Sequence, residues 1–292
     1  MPIRLVAIDL DGTLLDSHST ISPANRQALV EVAQRGVQIA VVTGRRYQSA
    51  RKVIADLELP VTLITSNGAM IRSAGGEILR RSLLPCETAR RVLEATDEYR
   101  IYAVVIFDAA GRGQVMMQQG AAPEGPLGWY LTHSPEHLLQ IPDLVACLTT
   151  DPIQLMFGGP PECVGPIEPF LRAAFQPLDF HLTWTKYLAR NLSILDVMNS
   201  GCTKGYAVAT WAERLGIPST DVMAIGDNFN DLEMLQFSGR PVVMGNSTPG
   251  LAHDGWAVTL SNDEDGVARA LGRFVLGSGY SPRDNSSPIK SE

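Results

Sequence analysis

No apolar run in the 292-residue chain approaches the roughly 18 to 20 residues of a membrane span. The start, Met1-Pro2-Ile3-Arg4, leads into a strand-like run that reaches an acidic residue at Asp9, too short and wrongly flanked for a secretory signal. Cysteine is scarce: Cys86, Cys147, Cys163 and Cys202 are scattered and form no CxxC pair. That spacing suggests neither a zinc site nor a thioredoxin-like redox motif and reads as ordinary free thiols. Basic residues are outnumbered, 24 Lys and Arg against 31 Asp and Glu for a net charge of -7, so no broad basic face exists to neutralise a polyanion. There is no internal repeat. The expectation is a cytoplasmic protein, monomer or homodimer, with neither nucleic acid nor membrane as partner.

What is present is enough apolar sequence, 45% of residues, to bury one large core or two smaller ones. Leu5 to Leu10 is a continuous apolar run stopped by Asp9, Asp11 and Gly12, as expected for a strand covered on both faces. Ser22-Pro23 opens a helix to about Gln34, with Ser22 as N-cap, Pro23 at the first helical position and Gly36 as the stop. Val37 to Val42 and Val61 to Thr65 are further strands, with a helix to about Leu57 between them. This alternation predicts right-handed βαβ units and a parallel sheet.

From about Ser82 to Tyr187 the pattern changes. A helix at Glu87 to Arg100, a strand at Tyr102 to Asp108 and a Gly/Pro-rich stretch at Gly111 to Gly128 precede strands at Pro152 to Phe157 and Phe180 to Trp184, with a helix near Pro166 to Phe175. The βα pattern returns with strands at Ser193 to Val197, Val222 to Ile225 and Pro241 to Met244, and helices at Thr203 to Leu215 and near Leu232. The expected fold class is α/β: a Rossmann-like three-layer core with a parallel sheet, at 1–82 and 188–276, interrupted by an α+β insertion at 83–187. Residues 277–292, almost without apolar side chains, are expected to be a disordered tail.

In an open α/β sheet, ligands bind in the crevice at the carboxyl ends of the strands. The residues that follow the apolar runs there are Asp9 and Asp11, Thr43, and Asp227, and Lys204 opens a nearby helix. Clustered carboxylates raise one another's pKa unless a cation neutralises them. Oxygen ligands from few side chains, with room for water and a phosphate, suit Mg²⁺ better than Ca²⁺. The cluster implies Mg²⁺ and a phosphorylated ligand.

Asp9-Leu10-Asp11-Gly12-Thr13-Leu14-Leu15 after a buried strand resembles the first motif of the haloacid dehalogenase-like superfamily of phosphohydrolases. The resemblance implies that Asp9 attacks phosphorus and Asp11 is the general acid and base. Val41-Val42-Thr43-Gly44-Arg45 looks like the second motif, implying that Thr43 and Gly44 hold the phosphoryl group. Lys204, in Gly201-Cys202-Thr203-Lys204-Gly205, matches the third motif, whose lysine neutralises the nucleophile and the transferring group. The helix dipole disfavours a cation at that position, which favours a functional reading. Gly226-Asp227-Asn228-Phe229-Asn230-Asp231 matches the fourth and is the most specific signal in the chain. It implies Mg²⁺ held by Asp9, the backbone carbonyl of Asp11 and Asp227. Asn230 would bind phosphate, and Asp231 would support the site from outside the ligand set.

The insertion between the second and third motifs, with Asn67-Gly68-Ala69, Gly245-Asn246 and the stretch Val258 to Val267, looks like the Cof-type sugar-phosphatase branch with its C2B cap. The chain departs from that pattern at Cys202-Thr203 and Thr248-Pro249-Gly250-Leu251, both off the catalytic positions. The cap would exclude water and set specificity. Trp129, Tyr130, His181, Trp184, Tyr187 and Arg190 are candidates there, although each reads more simply as core or surface. His133 and His137 lack metal-like partners, and Arg45 and Arg46 either reach an anionic substrate or solvate a helix start. The expected activity is hydrolysis of a small phosphorylated metabolite: a sugar phosphate, nucleotide or cofactor precursor. The alternatives are a phosphotransferase or mutase of phosphomannomutase type and, less favoured, a binding protein on the same scaffold.

Overall fold

The β-rich runs near the N-terminus form strands Leu5–Ile8 (β1), Gln38–Val42 (β2), Thr62–Thr65 (β3), Met70–Arg72 (β4) and Ile78–Arg81 (β5). The middle of the chain adds Ala103–Ile106 (β6), Val115–Gln118 (β7), Leu138–Ile141 (β8), Gln154–Gly159 (β9), His181–Tyr187 (β10) and Leu192–Met198 (β11). Val222–Gly226 (β12), Arg240–Val243 (β13) and Ala257–Val258 (β14) complete the set. This computed structural model describes residues 2–109, 113–121, 127, 128, 131, 138–187 and 190–277. Two units result, the first holding the described residues up to Leu79 and from Lys204 onward, the second Arg80–Thr203.

The first unit is built on an eight-stranded sheet of order β14-β13-β12-β1-β2-β3-β4-β5. The six strands from β14 to β3 are parallel, and β4 runs antiparallel to β3. Because strand side chains alternate, Val6, Ile8, Ile39, Val41, Met223 and Ile225 face one layer of helices, Pro23–Gln34, Tyr47–Ile54 and Gly266–Leu271. Leu5, Ala7, Ala40, Val42, Val222 and Ala224 face the other, Lys204–Arg214 and Leu232–Phe237. Burial on both faces explains the unbroken apolar runs, and each buried Val, Leu or Ile is worth about 1.5–3 kcal/mol against exposure. The first helix starts as its sequence predicts: Ser22 Oγ accepts from Asn25 N at 3.1 Å, with Pro23 next.

The winding reverses at β1. Helices following β1 and β2 lie on one face, whereas those preceding β12 and β13 lie on the other. This is the topological switch at which an open α/β sheet leaves a crevice beyond its carboxyl edge.

The second unit holds a six-stranded sheet of order β10-β11-β9-β6-β7-β8, antiparallel except for β7 and β8. Leu84, Val92, Leu93, Ile167 and Leu171, in and beside its helices, pack on Ala103, Val105, Phe157 and Leu195 from one face of the sheet. Here the structure corrects the sequence reading, which took Ser193 to Val197 as the return of the parallel core. That strand, β11, pairs antiparallel with β9 and β10 in the second sheet. All seven of its residues are buried, Ser193 and Asp196 included, and with five apolar side chains among them it resembles a parallel core strand covered on both faces. The expected helix to Arg100 ends sooner, at Ala95, and continues as a 3-10 segment, Asp97–Tyr102. No described helix is long and apolar enough to cross a membrane. The expected disordered tail after Gly277, with Trp129, Tyr130, His133 and His137, lies outside the described residues.

Candidate active site

Asp9 is the first residue past β1, and its N–H still donates to Ile225 O of β12 at 3.0 Å, which fixes the start of the loop. Across the crevice, Lys204 opens the helix Lys204–Arg214 with its ammonium buried. Lys204 Nζ donates to Asp9 Oδ1 and to Asp231 Oδ1, both at 2.6 Å. Asp231 spends its other oxygen on the chain just before it: Oδ2 accepts the N–H groups of Asp227 and Asn228 at 3.0 and 3.1 Å. This is a capping box, the acidic side chain reaching back over the start of its own turn while Asn228 caps it. Gly226 makes room for the arrangement, since a Cβ there would sit 2.6 Å from Asp231 Cβ.

Asp227 completes the acidic group. Thr13, fully buried, donates its hydroxyl to Asp227 Oδ1 at 3.0 Å. Oxygen atoms of Asp9, Asp227 and Asp231 lie within 4.8 Å of one another. Three buried carboxylates thus face one ammonium. Burial, then repulsion from Asp231, pushes Asp9 from 3.8 up to about 7 despite Lys204. Burial, then repulsion from Asp9 and Asp231, drives Asp227 well above the usual carboxylate range. Burial alone would lower Lys204, but Asp231 and Asp9 outweigh it and hold the ammonium above its ordinary range, charged at any working pH.

Thr43, buried at the end of β2, accepts Arg45 N–H on its hydroxyl oxygen at 3.0 Å. Gly44 follows it, and Asn230 is half-buried in the loop after β12. A family model for haloacid dehalogenase-like hydrolases matches residues 6–271, spanning all four loops. The chain belongs to that family. The HMP-PP phosphatase of Serratia proteamaculans is 32% identical over 248 residues, covering 85% of this chain and 86% of the relative. The 5-amino-6-(5-phospho-D-ribitylamino)uracil phosphatase YitU of Bacillus subtilis is 26% identical over 285 residues, covering 92% and 97%. A solved haloacid dehalogenase-like hydrolase from B. subtilis superposes with a TM-score of 0.78 at 24% identity, covering 94% of this chain and 100% of that one.

Members of this family generally use Mg²⁺, and the donor set of this haloacid dehalogenase-like hydrolase fits a hard divalent cation. Its three carboxylates are oxygen-only donors set against a single lysine, and two of them, Asp9 and Asp227, carry raised pKa values of the kind a bound cation would relieve.

Three partnerships in this hydrolase escape the sequence. Arg45 grips Asp11 with two parallel hydrogen bonds, Nε to Oδ2 at 2.7 Å and Nη2 to Oδ1 at 2.5 Å, so the Asp11 carboxylate sits apart from the acidic trio. Thr13 holds Asp227, as above. Asn67 Oδ1 accepts from Asn230 Nδ2 at 3.1 Å. The signal for Arg45 was its place directly after Thr43-Gly44, where either of two roles had been open. In the second unit, Trp184 is half-buried: it packs against the core on the helical face and its indole N–H donates to Glu168. His181 and Tyr187 are half-buried along β10, and Arg190 is exposed.

Proposed function

We propose that this chain is a Mg²⁺-dependent phosphomonoester hydrolase working through an aspartyl-phosphate on Asp9. The observation that carries the reading is the buried Lys204 ammonium held at 2.6 Å from both Asp9 and Asp231 at the carboxyl end of the central strand. A buried cation in that position serves little purpose for stability alone, because taking three ionised groups out of water is costly. It does serve a reaction in which negative charge arrives and develops.

Asp9 Oδ1 is engaged by Lys204, and Oδ2, which has no hydrogen-bond partner among the described residues, is the oxygen that attacks phosphorus. Asp11 donates a proton to the departing alkoxide oxygen and afterwards accepts one from the water that cleaves the intermediate. The Thr43 hydroxyl, Gly44 and Asn230 hold phosphoryl oxygens, and Lys204 offsets their charge. Asp9, Asp227 and the backbone carbonyl of Asp11 would hold Mg²⁺, with Asp231 fixing the loop around them. When bound, the ion supplies charge neutralisation and polarises a phosphoryl oxygen. The substrate is a small phosphorylated metabolite, a class supported by relatives named for a ribitylaminouracil phosphate and for HMP-PP. Free cysteines among the described residues agree with a cytoplasmic setting.

The test is phosphate release from a panel of sugar phosphates, nucleotides and pyridoxal phosphate, with Mg²⁺ and with EDTA. Release with Mg²⁺ that stops in EDTA and in a folded Asp9→Asn variant is expected. No release from any compound, or full activity in Asp9→Asn, would sink the proposal.

A further inference from the structure

Three consecutive residues at the end of β3 adopt the left-handed backbone region: Ser66 at φ 50°, Asn67 at 51° and Gly68 at 102°. Only the last is a glycine. Non-glycine residues held there cost energy and persist when the surroundings over-determine them, which is why they gather at functional sites. All three are buried, and the helix Lys204–Arg214 packs against them. The turn does nothing for Ser66 itself, whose hydroxyl is buried without a hydrogen-bond partner. What it does is aim the next side chain.

Asn67 Oδ1 accepts from Asn230 Nδ2 at 3.1 Å. Residue 67 follows β3 and residue 230 follows β12, and these strands are separated in the sheet by β1 and β2. Three steps of about 4.8 Å put the strands roughly 14 Å apart, too far for a hydrogen bond unless the loops turn inward over the crevice. On the way the Asn67 carboxamide passes the Thr43–Gly44 loop: its Oδ1 would lie 3.1 Å from any Cβ placed on Gly44. Its backbone is tied there too, with Asn67 N–H donating to Thr43 O at 3.1 Å and Ser66 N–H to Arg45 O at 2.9 Å. One strained turn therefore joins the two loops that carry Thr43, Gly44 and Asn230.

We infer that Asn67 is a positioning residue, tying Asn230 to the Thr43–Gly44 loop so that their donors converge on one phosphoryl group. The inference rests on the phosphatase reading. It explains why an asparagine stands where glycine would be easier: asparagine is among the few side chains that tolerate the left-handed region, and its carboxamide spans the gap.

The experiment is a double-mutant cycle on the full chain with p-nitrophenyl phosphate and Mg²⁺, comparing Asn67→Gly, Asn230→Ala and the pair, with Tm recorded for each. Glycine suits the backbone, so Asn67→Gly is expected to keep the parent Tm or exceed it while kcat/KM falls by about tenfold or more. In the Asn230→Ala background, removing Asn67 is expected to cost less than about threefold further, because the two act through one contact. If the glycine variant does not fold, Asn67→Ser goes through the same cycle, since Ser66 already holds the same backbone region. A single variant within about threefold of the parent, or losses that multiply in the pair, would overturn the inference. Absence of turnover by the unaltered chain would instead overturn the phosphatase reading, and this inference with it.

Discussion

At the scale of single residues, the strength of the site lies in charges that have no alternative partner in water. Lys204 and Asp231 are essentially inaccessible to solvent, at 1% and 0% exposure of their side chains, and Asp9 is nearly so. Removing one member of such a group leaves the others buried and uncompensated, which costs about 3–5 kcal/mol. Lys204→Ala should therefore lose at least about a hundredfold in kcat/KM and also unfold at lower urea. A loss under about tenfold would take Lys204 out of the chemistry. Arg45 makes a different argument, because its value is geometric. Two parallel bonds to Asp11 require a planar guanidinium, which a lysine cannot imitate. Steady-state kinetics should find Arg45→Lys as impaired as Arg45→Ala, each by about tenfold or more, with Tm within a few degrees of the parent. Recovery of full activity by lysine would reduce Arg45 to a source of positive charge.

At the scale of elements, the loops after the parallel strands stand out in the sequence because each holds charged or polar residues that an ordinary turn does not need. Gly12 shows how tightly such a loop is specified. It has φ 82°, and a Cβ there would lie 2.5 Å from Asp227 Oδ2. Gly12→Ala should lower Tm, by strain of about 1–3 kcal/mol, and cut activity as Asp227 is displaced. A variant with unchanged Tm and rate would show that the loop yields at no cost. What could not be read were relations between loops. Arg45 with Asp11 and Asn67 with Asn230 join residues 34 and 163 positions apart, and no spacing rule connects them. Strand β11 failed for another reason: a short, mostly apolar strand covered on both faces looks alike in a parallel core and in the middle of an antiparallel sheet. The short strands β4 and β5 carry Arg72, Arg80 and Arg81 among few apolar residues, too little alternation to mark them as sheet.

At the scale of the whole molecule, the acidic cluster links folding to pH and, in the proposed site, to metal. Asp9 titrates near 3.8 when exposed and near 7 in the fold. Between those values the folded chain binds a proton that the unfolded chain has released, so stability falls as pH rises through that window, and the contribution is gone above about 7. In the proposed metal site, a divalent cation would take the proton's place on the same carboxylate. Cation binding to the folded form alone adds about 2.7 kcal/mol at a hundred times Kd. At pH 6 a group titrating near 7 is still about nine-tenths protonated, which weakens the cation roughly tenfold and removes about 1.4 kcal/mol of that gain. Thermal denaturation should therefore show a larger rise in Tm on adding MgCl₂ at pH 8 than at pH 6, with EDTA as the baseline at each. In Asp9→Asn, which has no proton to displace at that position, the difference between the two pH values should shrink. Equal Mg²⁺-induced shifts at both pH values in the parent chain would mean that the cation and the Asp9 proton do not compete, and would move the metal away from Asp9.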